Sequence, residues 1–422
     1  MDKLLLKKAA VQSLALMIAV VTSSVALQQD EAISISAKDN INKSNITSYE
    51  QAGLVPLTDI TIPIPDQQQA EAKVYPLATN LDELDAQIDQ SIKEKLSDNY
   101  LVIRKPEEDS LSMTLEDLYV SHSIRLDMTG LQTNDITSNM ILRVRGSEFY
   151  AGDPKYQEIV TVETNEDGSE KEVIKKDYGT DICHNVAMTM EQDDETGYYH
   201  VQLLLELDSV YAYTVYEDTN YFYIDLRKPS DVYDKILVID AGHGGKDAGA
   251  LSGDQQIYEK NINLGIVLQL KKLLDQENIK VYYTRTEDNT VFLRPRSTLA
   301  NSVDSDYFIS IHCNTSEASY PNGTEVLYYD NNFKSVSAKR LAELFTEEIA
   351  NHSELNSRGL VLKQTGDIFI MDQAKVPTIL IEVGYLSNVS DLNYLNNPEK
   401  QKDIAKGIYN GIMRAYNELP AE

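Results

Sequence analysis

Two rhythms of hydrophobic and polar positions divide the chain near residue 230. Before that point, apolar and polar residues alternate in Ser123-Ile-Arg-Leu-Asp-Met, Met140-Ile-Leu-Arg-Val-Arg, Tyr199-His-Val-Gln-Leu-Leu-Leu-Glu-Leu and Tyr221-Phe-Tyr-Ile-Asp-Leu. Period two sends successive side chains to opposite faces, so these segments read as strands with one buried face. Asn165-Glu-Asp-Gly-Ser has the composition of a hairpin tip. A run of such strands without helical pattern predicts a β-rich, β-sandwich-like domain over residues 111–228.

After a short joint, Pro229-Ser-Asp-Val-Tyr-Asp, the rhythm changes. Lys235-Ile-Leu-Val-Ile-Asp is an unbroken apolar run, as expected of a strand covered on both faces. Ile262, Ile266, Val267, Leu270, Leu273 and Leu274 then recur at helical spacing. Strands are predicted at 279–284, 307–312, 324–329 and 377–383, and helices around 295–302, 335–351 and 398–417. This alternation predicts an α/β fold over residues 235–422, a twisted, mostly parallel sheet flanked by helices. In such sheets ligands gather beyond the carboxyl ends of the strands.

The first residues add a different signal. Lys3, Lys7 and Lys8 precede an apolar stretch from Ala9 to Val21, followed by Ser24 and Ala26 placed as at a cleavage site. This is the form of a secretory signal, cleaved or kept as an anchor over residues 1–26. It predicts action outside the cytoplasmic membrane, on its outer face or in the cell wall. Residues 27–110 read as a flexible linker with short helices, one of them at about 80–96, because polar residues and Thr61-Ile-Pro-Ile-Pro-Asp-Gln-Gln-Gln dominate. The chain carries 67 acidic and 38 basic residues, net -29, which repels nucleic acid and argues against it as a partner. Two distant cysteines, Cys183 and Cys313, make no disulfide framework.

Candidate chemistry sits at the strand ends of the second region. His243 follows the first strand in Asp240-Ala-Gly-His-Gly-Gly-Lys-Asp-Ala-Gly; Glu259 opens the first helix; His312 closes Tyr307-Phe-Ile-Ser-Ile-His; Glu382 lies near the end of Val376-Pro-Thr-Ile-Leu-Ile-Glu-Val-Gly. Two imidazoles and one carboxylate are the ligand set of a hydrolytic zinc site with an open position. A second carboxylate off the metal, here Glu382, is needed to move the proton of the attacking water. Asp240, Asp247 and Asn314 are candidates to orient a ligand imidazole through its other nitrogen. Taken singly, a histidine after a strand is more often structural. The glycine-rich loop is neither a dinucleotide fingerprint nor a phosphate loop, because Asp247 and Asp240 stand where those motifs want glycine. His122, His184 and His200 lie apart, at no metal-ligand spacing, and read as surface or packed histidines.

The ordered set Val238-Ile-Asp-Ala-Gly-His-Gly-Gly-Lys-Asp-Ala-Gly, Glu259-Lys-Asn-Ile-Asn, Ser310-Ile-His-Cys-Asn and Ile381-Glu-Val-Gly-Tyr-Leu-Ser-Asn closely resembles the catalytic domain of the zinc-dependent N-acetylmuramoyl-L-alanine amidases. Thr284-Arg-Thr-Glu-Asp, Leu293-Arg-Pro-Arg-Ser-Thr-Leu-Ala-Asn and Ser357-Arg-Gly-Leu fit as connecting pieces. The resemblance implies a peptidoglycan hydrolase cleaving the bond between N-acetylmuramic acid and L-alanine. It implies zinc on His243, Glu259 and His312, with Glu382 as the catalytic glutamate. Two departures are Ala241, where many members have proline, and Cys313, where a small residue is common; strand alternation turns Cys313 away from His312. A helix that plugs the zinc site in some relatives is not expected here. The preceding β-rich region loosely resembles the targeting domain often found before this enzyme, which would imply cell-envelope partners. A non-catalytic wall-binding or regulatory protein, or another zinc peptidase or deacetylase, are the alternative readings.

Overall fold

The structure, a computed structural model, describes residues 54–56, 83, 86–104, 112–131, 142–144, 147–149, 157–164, 170–179 and 181–419. The signal-like segment, most of the linker and the hairpin tip at 165–169 lie outside the described residues. Among the described residues no helix is long and apolar enough to cross a membrane.

The second region forms one mixed sheet. Its strands are β1 (Ile236–Ala241), β2 (Lys280–Tyr283), β3 (Tyr307–Asn314), β4 (Thr324–Tyr329), β5 (Ser357–Lys363) and β6 (Thr378–Tyr385), in the spatial order β2-β1-β3-β6-β4-β5. β1, β2, β3 and β6 run parallel; β4 is antiparallel to β6, and β5 is parallel to β4. β5 was not expected as a strand. Its sequence, Ser-Arg-Gly-Leu-Val-Leu-Lys, carries a glycine and no alternation, and as an edge strand none of its residues is fully buried. β1, by contrast, is buried at every position, as its apolar run predicts.

Helices α1 (Glu259–Leu274), α3 (Ala338–His352) and α4 (Pro398–Glu418) contribute to an apolar core that also contains Leu237, Ile239, Ile309, Ile379 and Ile381 of the sheet. α2 (Leu293–Ser302) and a short helix, Phe369–Gln373, share a second cluster with Ile236, Val238 and Phe308. α1 buries Ile262, Ile266, Val267, Leu270 and Leu274, each contributing about 1.5–3 kcal/mol by leaving water; Leu273, expected on that face, is only half-buried. α4 starts with Pro398 behind the cap Asn397, whose side chain accepts from the Glu399 N–H at 2.9 Å. Between β4 and β5 lie only a two-stranded turn, Asn332–Ser337, α3 and its short exit, so no additional helix stands there.

The β-rich region has two antiparallel sheets. One contains, side by side, Ser112–Leu118, Ser123–Leu131, Tyr199–Leu207 and Cys183–Gln192. The other runs Ala212–Glu217, Tyr221–Arg227, Tyr100–Arg104. Val201, Leu203 and Leu205 alternate inward from the first sheet and meet Leu101, Ile103 and Ile224 of the second in one core. The linker reading of 27–110 is therefore corrected at its end. Leu101-Val102-Ile103 is fully buried in a strand whose partner lies some 120 positions later, a pairing that no local pattern reveals. Val102, Tyr221 and Tyr223 face the other way, against Ile88 and Ile92, so this sheet is covered on both sides. Of the helix expected at about 80–96, Gln90–Lys93 is described.

The two regions are in contact. Val210 sits in the cluster of Ile236, Tyr282 and Phe308, and Tyr119 packs edge-on against Tyr282 with ring centres 5.1 Å apart. The Tyr119 hydroxyl donates to the Tyr283 carbonyl at 2.9 Å and accepts from the Tyr283 N–H at 3.3 Å. Pro229, in the expected joint, is buried.

Candidate metal centre

The carboxyl ends of β1, β3 and β6 converge with the amino end of α1. β1 runs into Gly242 and His243, where a tight turn closes between Gly244 and Asp247 through paired hydrogen bonds of 2.9 and 3.0 Å. A Cβ on Gly242 would overlap the His312 ring, so only glycine lets β1 pass the second imidazole. His243 adopts φ +61°, a left-handed conformation that costs a non-glycine residue roughly 1–2 kcal/mol.

His243 Nε2 lies 3.2 Å from Glu259 Oε2, and His312 Nδ1 lies 3.0 Å from Glu259 Oε1. The two rings stand nearly perpendicular with centres 5.0 Å apart. One donor atom from each of His243, Glu259 and His312 falls within 4.8 Å of the others, the one such trio among the described residues. Glu259 is buried and held from behind by the N–H groups of Ala250 (2.8 Å) and Cys313 (3.0 Å) and by Asn263 Nδ2 (3.2 Å). Its place in the first turn of α1 also favours a negative charge. Burial opposes that charge, but hydrogen bonds and the charges of His243 and His312 outweigh it and hold the carboxyl well below its usual range. Burial likewise would lower the His243 pKa, and Glu259 and Asp247 overturn this, pushing it up to about 9. A proton on His243 thus balances the ionised carboxylate; a divalent cation displacing that proton would meet two ring nitrogens and one carboxylate as donors.

Glu382 stands directly across from His312 in the parallel register of β3 and β6. Its Oε2 is buried without a hydrogen-bond partner. Burial pushes its pKa up to about 7, aided by the charges of Glu259 and Glu325 and opposed by those of His312 and His243. A lone buried carboxylate oxygen is costly.

Of the three residues expected to orient an imidazole, Asp247 does so, with Oδ2 2.8 Å from His243 Nδ1, leaving Nε2 toward the trio. Asp240 does not. It is fully buried and receives Arg296 Nη1 (2.5 Å), Ser310 Oγ (2.5 Å) and Thr284 Oγ1 (2.6 Å). Asn314 donates to Glu325 at 3.3 Å instead. Cys313 is buried and free, its thiol directed at Asn263 Oδ1 at 3.3 Å. His122, His184 and His200 meet Ser302, Tyr178 and Asp127 respectively, away from the trio. Sequence reasoning missed the buried guanidinium groups of Arg285 and Arg296 beneath the His243 turn. The available signal was the spacing of Arg296 to Leu299 and Ala300, which puts it on the buried face of α2.

Residues 237–414 match the family model described as N-acetylmuramoyl-L-alanine amidase. The uncharacterized protein YqiI of Bacillus subtilis (strain 168) is 31% identical over 184 residues, covering 44% of this chain and 86% of YqiI. The N-acetylmuramoyl-L-alanine amidase LytC of the same organism is 30% identical over 191 residues, 45% of this chain but only 37% of LytC. The germination-specific N-acetylmuramoyl-L-alanine amidase of B. subtilis is 30% identical over 198 residues, 44% of this chain and 81% of that enzyme. With this coverage, and with the four motifs folded into one cluster, the chain belongs to the N-acetylmuramoyl-L-alanine amidase family and is a peptidoglycan amidase.

Proposed function

We propose that the chain hydrolyses the amide between N-acetylmuramic acid and L-alanine with a zinc ion held by His243, Glu259 and His312 and with Glu382 as general base. The observation that carries this reading is the donor trio within 4.8 Å beside a buried carboxylate oxygen that has no protein partner. Two imidazoles and one carboxylate fit zinc by donor type and leave room for a further ligand. Zinc held there supplies Lewis-acid polarisation of the scissile carbonyl and lowers the pKa of a water. The chain's own residues do the rest. Asp247 and the backbone donors on Glu259 hold His243 and Glu259 in place. Glu382 Oε2 takes a proton from the attacking water as the C–O bond forms, and returns it to the alanine nitrogen as the C–N bond breaks.

The export-like segment at residues 1–26, together with relatives named as probable cell wall amidases, supports action outside the membrane. The two-sheet β-rich region supports the reading of a β-sandwich that brings the enzyme to wall or envelope partners.

The full chain is expected to release peptides with a free L-alanine amino terminus from purified sacculi, and chelator should stop this release. Glu382→Gln should lower kcat/KM by about 10²–10⁴ while retaining bound zinc. Acetate release, or cleavage within the stem peptide, would point instead to a deacetylase or peptidase. Undiminished hydrolysis by Glu382→Gln would remove Glu382 from the mechanism.

A further inference from the structure

The backbone that carries His243 is gripped from below by two buried arginines. Arg296 Nη1 donates to the Ala241 carbonyl and Nη2 to the His243 carbonyl, both at 2.8 Å. Arg285 Nε donates to the Ala241 carbonyl and Nη2 to the Gly242 carbonyl, both at 2.9 Å. Three successive carbonyls, 241 to 243, therefore all point at guanidinium groups. The same arginines tie this turn to its surroundings: Arg285 Nη2 to the Lys260 carbonyl at 2.9 Å, next to Glu259, and Arg296 Nη2 to the Val291 carbonyl at 2.8 Å.

Each arginine is only 2% exposed, and Asp240 pairs with Arg296 at 2.5 Å, whereas Arg285 makes its hydrogen bonds to backbone carbonyls. Two buried cations, one of them without a directly paired carboxylate, are an expensive way to fill space; apolar side chains of similar volume are often as stable or more so. What apolar side chains cannot do is fix carbonyl directions. That matters at His243, whose φ of +61° persists only if its surroundings over-determine it.

We infer that Arg296, with Arg285, is a positioning residue for the metal centre. By holding the carbonyls of Ala241, Gly242 and His243, the pair keeps His243 in its left-handed conformation with the imidazole toward Glu259 and His312. The inference rests on the reading of His243, Glu259 and His312 as zinc ligands. Removing the clamp should weaken metal binding although every ligand is still present.

The test uses the full chain, stripped of metal, and measures zinc affinity by competition with a chromogenic chelator, alongside urea unfolding of the metal-free protein. Arg296→Met is expected to bind zinc about 10–100-fold more weakly than the parent. Arg296→Lys, which keeps the charge without the fork, should recover only part of that loss. Cobalt substituted for zinc should show an altered visible spectrum in Arg296→Met. A merely structural role would lower the urea midpoint and leave zinc affinity and the cobalt spectrum unchanged. A folded Arg296→Met that binds zinc within fivefold of the parent overturns the inference. If Arg296→Met does not fold, Arg285→Lys is judged by the same fivefold criterion. A parent chain that binds no zinc would instead overturn the ligand assignment itself.

Discussion

At the scale of single residues, function depends on atoms that are absent as much as on those present. Gly242 has no side chain because the His312 ring occupies the place where a Cβ would go. The Gly242→Ala variant keeps all three donors but must push that ring aside. Zinc affinity should fall at least tenfold, while the fold loses only about 1–3 kcal/mol, the usual cost of overpacking; chelator competition and urea unfolding read the two effects separately. The four residues His243, Glu259, His312 and Glu382 were legible in the sequence because each sits at a predictable strand or helix end. Their partners were less so. Asp247 lies four positions from His243 and closes a local turn, so proximity in sequence revealed it. Asp240 lies even nearer in sequence, three positions away, but strand alternation aims it under the sheet end, toward Arg296. Such a choice between two neighbouring carboxylates is made by the packing of α2, which the local pattern does not contain.

Elements show the same division. Strands and helices with strong periodicity were predicted close to their observed bounds: Tyr199–Leu207 and Thr324–Tyr329 coincide with their expected segments. Tyr100–Arg104 and β5 were missed, because the first lies in polar surroundings and pairs across the domain, and the second is a weakly patterned edge. One of the contacts between the regions is made by a short element, the 3₁₀ turn Tyr119–Ser121, which presents the Tyr119 hydroxyl to both backbone groups of Tyr283. Tyr119→Phe leaves those two groups without the hydroxyl's bonds and should cost about 1–3 kcal/mol. Faster amide hydrogen exchange confined to the end of β2 and the turn would check it; unchanged exchange there would show that the apolar contacts alone hold the junction.

For the whole molecule, the junction also encloses a charge. Burial pushes the Asp117 pKa up to about 7; the charge of Lys280 opposes this and that of Glu116 adds to it. Lys280 itself lies on β2, its ammonium over the Tyr282 and Tyr233 rings. An aspartate with a raised folded-state pKa keeps a proton that the unfolded chain releases between about pH 4 and 7, so its contribution to stability falls as pH rises through that window and is level above it. Asp117→Asn lacks this slope. Relative to the parent, the variant should gain on the order of 2–4 kcal/mol between pH 4.5 and 7.5, read from urea midpoints across that range; parallel pH profiles would disprove it. By itself, the sequence determined the two kinds of region, the order of their main elements and the four residues that gather at the strand ends, because periodicity and strand ends are local properties. Only the tertiary structure decided which carboxylate orients His243, that two arginines lie beneath it, and that the β-rich region starts before residue 104 and packs on the amidase. These are contacts between segments tens to more than a hundred positions apart, and their energies come from burial and hydrogen-bond geometry that exist only once the chain has closed on itself.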